Sequence, residues 1–459
     1  MQKRFEVHSH TDKGSNIRLI DCINKIDKLI DRARENGLCG IAITDHEALC
    51  NHMAANKIAA KLKDEDFKVA LGNEIYLVDE RTNGQKYYHF ILIAKDMIGY
   101  KQLRKLSTNA WYNSYMDRAL RVPTLKSELE TVINQHKGHL IATSACLGGE
   151  LSTSTMNYIL AQQAGDMETA KQCYAEIISF IELMKKLFND DFYIECAPGC
   201  SEEQLAVNSK LKQIAQLYNI KMVIGTDAHF LKKEDRFIHK SYLKSKDGER
   251  EVDAFYEYSY LQTEDEIKEH LSKCDLKNDY EILVANSVEI YNKIEFYDIR
   301  RPQVIPTSKK VIAPEKKIMN INGHELYSSL FSSEDEQARI WANDTYNGLK
   351  ERNINTDKYI SQLETEAEII ISLTKEMNLT PSLFTYFNTF KHYIDLFWEC
   401  GSIVGPGRGS ATGFLSDYAL DITQLDPLEW NLQYWRFLNK ERVELPSLSL
   451  ILGSCKKRA

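Results

Sequence analysis

The sequence predicts an α/β chain whose first half closes into a barrel of strands and helices and whose second half is mainly helical. Three observations predict this. Short apolar runs at 5–7, 41–44, 69–71, 90–94, 140–143, 192–194 and 222–226 alternate with helical patterns, and about seven such units suggest a closed barrel built around a parallel sheet. Residues able to bind metal follow several of those runs. After a Pro-bearing stretch from Arg301 to Pro314, the periodicity is helical.

Taken in order, Leu19, Ile23, Ile26, Ile30 and Ala33 share one helical face between the first two runs. Two extended stretches, 74–78 and 87–94, flank the polar pair Asn83-Gly84, which predicts a hairpin interrupting the alternation. Residues 231–298 are charged with mixed helical patterns. Ser333, with Glu336 three residues on, is the expected N-cap of the next helix, and Leu363, Ala367, Ile370, Ile371 and Leu373 continue the periodicity. The expected division is a barrel at 1–240, a helical connection and linker at 241–315 and a separate domain at 316–459.

The bulk composition narrows the function classes. With 459 residues, 43% hydrophobic and 27% charged, the chain can bury more than one core. No apolar run is long enough to cross a bilayer, and the start MQKRFEVHSH turns polar too early for a secretory signal. Ten cysteines without paired CxxC spacing indicate neither a disulfide framework nor a zinc ribbon, so a reducing cytoplasm is expected. The net charge of −8 argues against nonspecific coating of DNA; a local groove or bound metal would have to supply the attraction.

His8-Ser9-His10 follows the first run, and alternation in extended backbone turns both imidazoles the same way, as two ligands of one ion require. Asp45-His46 follows the second run, Glu74 the third, Cys146 the run at 140–143, and Asp227-Ala228-His229 the last. In a barrel the C-terminal strand ends form one rim, where active sites are assembled. Any one of these is unremarkable alone: Asp45 could cap a helix, and Cys146 could be a buried small hydrophobe. Their shared topological position points to a metal centre holding two or three divalent ions, zinc, manganese or iron, with magnesium also compatible. Such ions lower the pKa of a water and polarise a phosphoryl oxygen, which suggests phosphoester hydrolysis; amide or deaminase chemistry could use similar ligands.

These residues resemble the PHP (polymerase and histidinol phosphatase) family through His8-Ser9-His10, Thr44-Asp45-His46, Gly72-Asn73-Glu74, Tyr88-His89, Ser144-Ala145-Cys146-Leu147-Gly148-Gly149 and Gly225-Thr226-Asp227-Ala228-His229. The resemblance implies a distorted (β/α)7 barrel. It also implies a trinuclear site held by His8, His10, Asp21, His46, Glu74, His89, Cys146, Asp227 and His229, with Asp45 in a supporting position.

Further on, Val404-Gly405-Pro406-Gly407-Arg408-Gly409-Ser410-Ala411-Thr412-Gly413, Tyr418-Ala419-Leu420, Asp426-Pro427-Leu428 and the segment from Arg436 to Arg442 resemble the early palm of bacterial DNA polymerase III α subunits. The resemblance implies DNA as substrate, a proofreading 3′–5′ exonuclease activity in the barrel and nucleotide binding at Gly407, Arg408, Gly409 and Ser410. Physically, that loop would open a helix whose backbone N–H groups face a triphosphate. The family pattern Pro-Asp-x-Asp-x-Asp is here Pro446-Ser447-Leu448-Ser449-Leu450-Ile451. Serine cannot replace the carboxylate charge that holds two magnesium ions. The expectation is therefore an incomplete, truncated palm that does not polymerise DNA, with a second polymerase chain or other replication proteins as the expected partners. The competing expectations are a fold-holding metal module without turnover and a small-molecule phosphatase.

Overall fold

The computed structural model describes residues 3–445 apart from 18–19, 64, 83, 117–119, 248–254, 302–303 and 307–310. The replaced aspartate positions Ser447, Ser449 and Ile451 lie outside the described residues, as does Asn83 of the expected turn. The chain forms two compact units, 1–301 and 302–459.

Every apolar run of the first half carries a strand. In chain order these are β1 (Phe5–Glu6), β2 (Gly40–Ile43), β3 (Lys68–Val78), β4 (Tyr88–Ala94), β5 (Tyr115–Met116), β6 (Leu120–Arg121), β7 (Pro123–Leu125), β8 (Leu140–Thr143), β9 (Phe192–Cys196) and β10 (Met222–Ile224). The sheet runs β1-β2-β3-β4-β8-β9-β10, with β7 added alongside β3; β5 and β6 pair separately. Neighbours are parallel except at β4, which is antiparallel to both β3 and β8. This is the expected hairpin. Just beyond the outer strands, a parallel bridge joins Ser9 to Ala228. There His10 N donates to Ala228 O at 3.1 Å and Ala228 N donates to His8 O at 3.3 Å. The ring is thus nearly closed at the rim where β1 and β10 deliver their ligand-type residues.

Alternation along the strands sorts the side chains into two cores. Val7, Ala42, Ala70, Ile91, Ile93, Ile141, Tyr193 and Val223 form one buried cluster together with Ile290 and Ile294. Ile41, Ile43, Leu71, Phe90, Leu92, Leu140 and Ile194 belong to a larger one shared with helix residues such as Leu29, Leu103, Ile177 and Leu211. The helix Tyr280–Lys293 belongs to this unit: Phe5 N donates to Ser287 Oγ at 3.1 Å, and Asn286 Nδ2 donates to Met222 O at 2.8 Å. The unit boundary therefore falls inside the stretch 241–315 that the sequence reads as a connection.

Leu19 lies outside the described residues, and the helix expected from Leu19, Ile23, Ile26, Ile30 and Ala33 begins later than that periodicity suggests. It spans Ile26–Glu35 and buries Leu29, Ile30 and Ala33, while Ile23 lies in non-helical chain with its N–H donating to His229 O at 3.1 Å. Asn16 Oδ1 accepts from Asp21 N and Cys22 N, and Asn24 Nδ2 donates to His10 O and Ala228 O. These bonds to the rim outweigh local helical preference and fix Asp21 beside it.

The second unit contains helices and no strand among its described residues, packed around Trp341, Leu363, Phe387, Phe414 and Phe437. Its helix Glu336–Glu351 is capped by Asp335, whose side chain accepts from Gln337 N, rather than by Ser333. Ser333 Oγ instead accepts from Asp335 N at 3.1 Å, two residues upstream of the cap. No described helix is long and apolar enough to cross a membrane.

Candidate metal centre

The barrel rim gathers all nine residues of the expected set. His8 and His10 leave β1 with their Nε2 atoms 3.1 Å apart. Asp227 Oδ1 lies 3.2 Å from His8 Nε2 and 3.0 Å from His10 Nε2. Glu74 sits in the middle of the chemistry. Its Oε2 is 2.6 Å from His46 Nδ1 and 3.3 Å from His10 Nε2, and its Oε1 is 2.6 Å from His89 Nδ1. Asp21 Oδ2 reaches His46 Nε2 at 2.8 Å and His229 Nε2 at 3.5 Å. Cys146 Sγ stands 3.6 Å from His89 Nδ1. Ligand atoms cluster in three overlapping groups, His8/His10/Asp227, His10/His46/His229 and His46/Glu74/His89, each within 4.8 Å.

One position differs from its expected setting. Glu74 does not follow the third strand but lies inside it, because β3 extends over 11 residues to pair with β4 and β7. His89, opposite Tyr76 on β4, comes to the same rim through the hairpin. Rim backbone is strained beside the candidate ligands: Ala145, Asp227 and Glu47 have φ of 58°, 47° and 53°, a region non-glycine residues adopt infrequently.

Burial makes this charge density costly without compensation. Burial alone would lower the pKa of His8, but Glu195, Asp227 and Glu74 outweigh it and raise it well above the usual histidine value. His10 is pushed down to about 3 by burial and by the His46 and His229 imidazoles. His46 is pushed up to about 10: burial opposes the shift, and Glu74 and Asp21 outweigh it. Burial would raise Glu74 and Asp21, yet the surrounding histidines hold both carboxylates well below their ordinary range. Both buried oxygens of Glu74 lack a hydrogen-bond partner despite their short approaches to His46 and His89. Convergence without hydrogen-bond geometry is what atoms sharing a cation require. The mixed set of imidazoles, carboxylates and a thiol is of the kind that fits divalent ions.

Asp45 is not among the converging ligand atoms. Its carboxylate accepts from Thr11 N, Thr11 Oγ1 and Ser15 Oγ, and Ser15 Oγ lies 3.0 Å from His10 Nδ1. Asp45 thus positions His10 through Ser15; burial raises it to about 6. Gly14 makes room for it, since a Cβ there would stand 1.9 Å from Asp45 Oδ2.

Sequence reasoning missed Glu195, which is fully enclosed at the end of β9. Its Oε1 lies 2.6 Å from His8 Nδ1, and its Oε2 accepts from Thr143 Oγ1 at 2.6 Å. Its signal was present, an acid immediately after the run at 192–194. Tyr256 and His239 were also missed. The Tyr256 hydroxyl donates to Asp21 Oδ1, and His239 Nε2 lies 2.6 Å from Asp21 O. Neither follows a strand, so no positional signal marked them.

In the second unit, Gly407 and Gly409 have φ of +125° and +74°. A Cβ on Gly407 would meet Thr412 Cγ2 at 2.6 Å, so both its conformation and its packing require glycine. The loop does not open a full helix: Gly409–Gly413 is a short 3-10 turn. The next short helix, Leu415–Ala419, has its first N–H groups taken by the buried carboxylate of Glu366, which accepts from Leu415 N at 2.7 Å and Ser416 N at 2.8 Å. The helix terminus expected to face a triphosphate is therefore occupied from within. Arg408 is exposed.

Comparison with known proteins gives these two halves their relatives. The PHP domain family matches residues 6–198, and the "Bacterial DNA polymerase III alpha NTPase domain" family matches residues 339–450. The chain is 36% identical to "Probable DNA polymerase YorL" of Bacillus subtilis (strain 168), over 98% of its own length and 36% of that protein's. It is 28% identical to "DNA polymerase III subunit alpha" of Aquifex aeolicus (strain VF5), again over 98% of its length and 36% of the relative. The chain thus spans about a third of the length of the curated relatives it matches. An amidohydrolase from Chromobacterium violaceum is similar over 49% of this chain and 87% of its own, at 14% identity and a TM-score of 0.26, a likeness too distant to carry an argument. Across 98% of its length the chain is similar to DNA polymerase III α subunits, with its first half matching the PHP domain family and its second half the bacterial DNA polymerase III alpha NTPase domain family.

Proposed function

We propose that the barrel hydrolyses phosphodiesters and removes nucleotides from DNA 3′ ends, in a proofreading role within a replicative, cytoplasmic polymerase assembly. The observation that carries this reading is the convergence of His8, His10, Asp21, His46, Glu74, His89, Cys146, Asp227 and His229 on one rim. Two or three divalent ions held there would supply Lewis acidity toward the phosphoryl group and a water of lowered pKa. The chain's own residues do the rest. Glu195 and Asp45 fix the imidazoles of His8 and, through Ser15, His10, while Glu74 and Asp227 keep the negative charge that divalent ions require. Strand ends from opposite sides of the barrel hold the set rigid.

The polymerase half, in this proposal, contributes DNA contact and nucleotide binding through Gly407, Arg408, Gly409 and Ser410, acting as an exposed loop rather than a helix terminus. With Ser447, Ser449 and Ile451 in place of carboxylates, this half lacks the charges that hold two magnesium ions and does not itself transfer nucleotides; a second polymerase chain or other replication proteins are its proposed partners. A fold-holding role is the second reading, favoured by the complete burial of His8, His10 and Glu74. Release of the terminal nucleotide from a 3′-labelled DNA strand, dependent on an added divalent metal, separates the two.

A further inference from the structure

A cavity of about 200 Å3 opens beside the metal centre, between the loop after β8, the chain after β9 and the 3-10 turn Phe255–Tyr258. Cys146 and Asp227 line the end nearest the centre; Leu147, Pro198, Gly199 and Tyr258 line much of the remainder. We propose that this cavity is a base-binding subsite, which takes the nucleobase of the terminal nucleotide while its phosphate faces the metal centre. The proposal rests on the phosphodiesterase reading and adds what that site recognises.

Position supports it first. The cavity shares two residues with the candidate ligand set, so a substituent on a phosphate held there has this space to enter. Size comes second. The volume somewhat exceeds the roughly 150 Å3 that encloses a benzene ring and falls below the roughly 300 Å3 at which pockets for larger ligands begin. One ring system fits, and two do not.

The lining chemistry selects which ring. Leu147, Pro198 and the Tyr258 ring offer apolar and aromatic surface. Gly199 keeps that surface accessible, since a Cβ there would stand 3.3 Å from the Tyr258 ring. The Tyr258 ring is braced edge-on by His270, with centroids 5.0 Å apart at 80°. Among the described residues no lysine or arginine lines the cavity, whereas the acids Glu203 and Asp227 do. The helix Glu202–Tyr218 starts at the cavity, but Glu202 and Glu203 in its first turn already offset its positive end. A second phosphate is therefore repelled. A flat, neutral ring with N–H donors is accommodated, stacking on Tyr258 and donating toward Glu203 or the Ser201–Gln204 turn.

Equilibrium binding to the metal-loaded full chain tests this, with deoxyribose 5-phosphate, a deoxynucleoside 5′-monophosphate and inorganic phosphate titrated separately by calorimetry. The nucleotide is expected to bind at least about tenfold more tightly than the sugar phosphate, as one stacked base would give. Tyr258→Ala and Gly199→Val are expected to bring the two affinities together, and Tyr258→Phe to keep them apart. Equal affinities in the unaltered chain, or a nucleotide preference that persists in both Tyr258→Ala and Gly199→Val, would overturn the proposal. Metal content and thermal midpoint confirm that each variant is folded. Base-dependent binding without any DNA cleavage would leave the subsite standing and remove the catalytic reading, so the two claims fail separately.

Discussion

His8 Nδ1 donates to Glu195 Oε1 at 2.6 Å, and this bond turns His8 Nε2 toward Asp227 and Glu74. Among the candidate ligands Glu195 is hydrogen-bonded to His8 alone, and this bond sets the tautomer and ring orientation of that imidazole. Glu195→Gln should lower divalent-metal affinity by about 10–100-fold while preserving the barrel. Metal content after dialysis against a graded chelator series, with circular dichroism as the fold control, would show it. Unchanged affinity would mean that His8 needs no such anchor.

The same anchor can be disturbed from the other side. A Cβ on Gly225 would lie 2.1 Å from Glu195 Oε1, and Glu195 cannot swing away without breaking its bonds to His8 and Thr143. Gly225→Ala should therefore reproduce the metal loss of Glu195→Gln and add a stability cost of about 1–3 kcal/mol. A fully metal-loaded, undestabilised Gly225→Ala chain would show that the rim relaxes more easily than this packing implies.

Chelation should destabilise the first unit. Ions that bind only the folded barrel contribute about 4 kcal/mol when present at a thousand times their dissociation constant. The thermal midpoint of the metal-loaded chain should fall on adding chelator and return with manganese or zinc. A midpoint indifferent to both would indicate that the rim binds no ion.

In the second unit, two fully buried acids lie close together. Glu366 is raised to about 7, mainly by burial, with Gln362 and the Leu415 and Ser416 N–H groups opposing. Asp417 is raised well above its ordinary value by burial and by Glu366. A carboxyl with a raised folded-state pKa stabilises fully below its unfolded pKa, and that stability is lost as pH rises through the folded value. The second unit should therefore weaken from about pH 4.5 through about pH 7. Asp417→Asn should flatten that slope and raise the stability at pH 8. Urea midpoints followed across pH would measure it; a variant that is less stable at pH 8 would contradict it.

Asp335→Ala should cost the second unit about 1 kcal/mol through the lost cap on the helix Glu336–Glu351. Ser333→Ala should cost less, because Ser333 sits outside the cap. Reversal of that order in chemical denaturation would restore the sequence-based assignment.

Much of the first unit was legible because its strands are short, apolar and evenly spaced, and because strand ends converge by topology alone. His8, His10, His46, Asp227 and His229 could be read that way, as could the hairpin that brings His89 inward. Asp21 could not be placed from pattern, because the segment before it carries helical periodicity that hydrogen bonds from Asn16 and Asn24 override. Glu195 carries the same strand-end signal as the others, directly after the apolar run at 192–194, but lies within the strand itself. The Gly407–Gly409 loop shows the opposite failure. Its glycines predict a phosphate-facing helix start, but Glu366, distant in sequence, already holds the N–H groups that follow.

The most direct test of the account is cleavage of a 3′-labelled DNA primer, paired and mispaired, by the chain with manganese, beside His8→Ala and Asp227→Ala. The account predicts metal-dependent loss of the 3′ label by the unaltered chain, and a loss of at least about 100-fold in each variant. A folded, metal-loaded chain that leaves the label in place would contradict it and make the rim a fold-holding metal site instead.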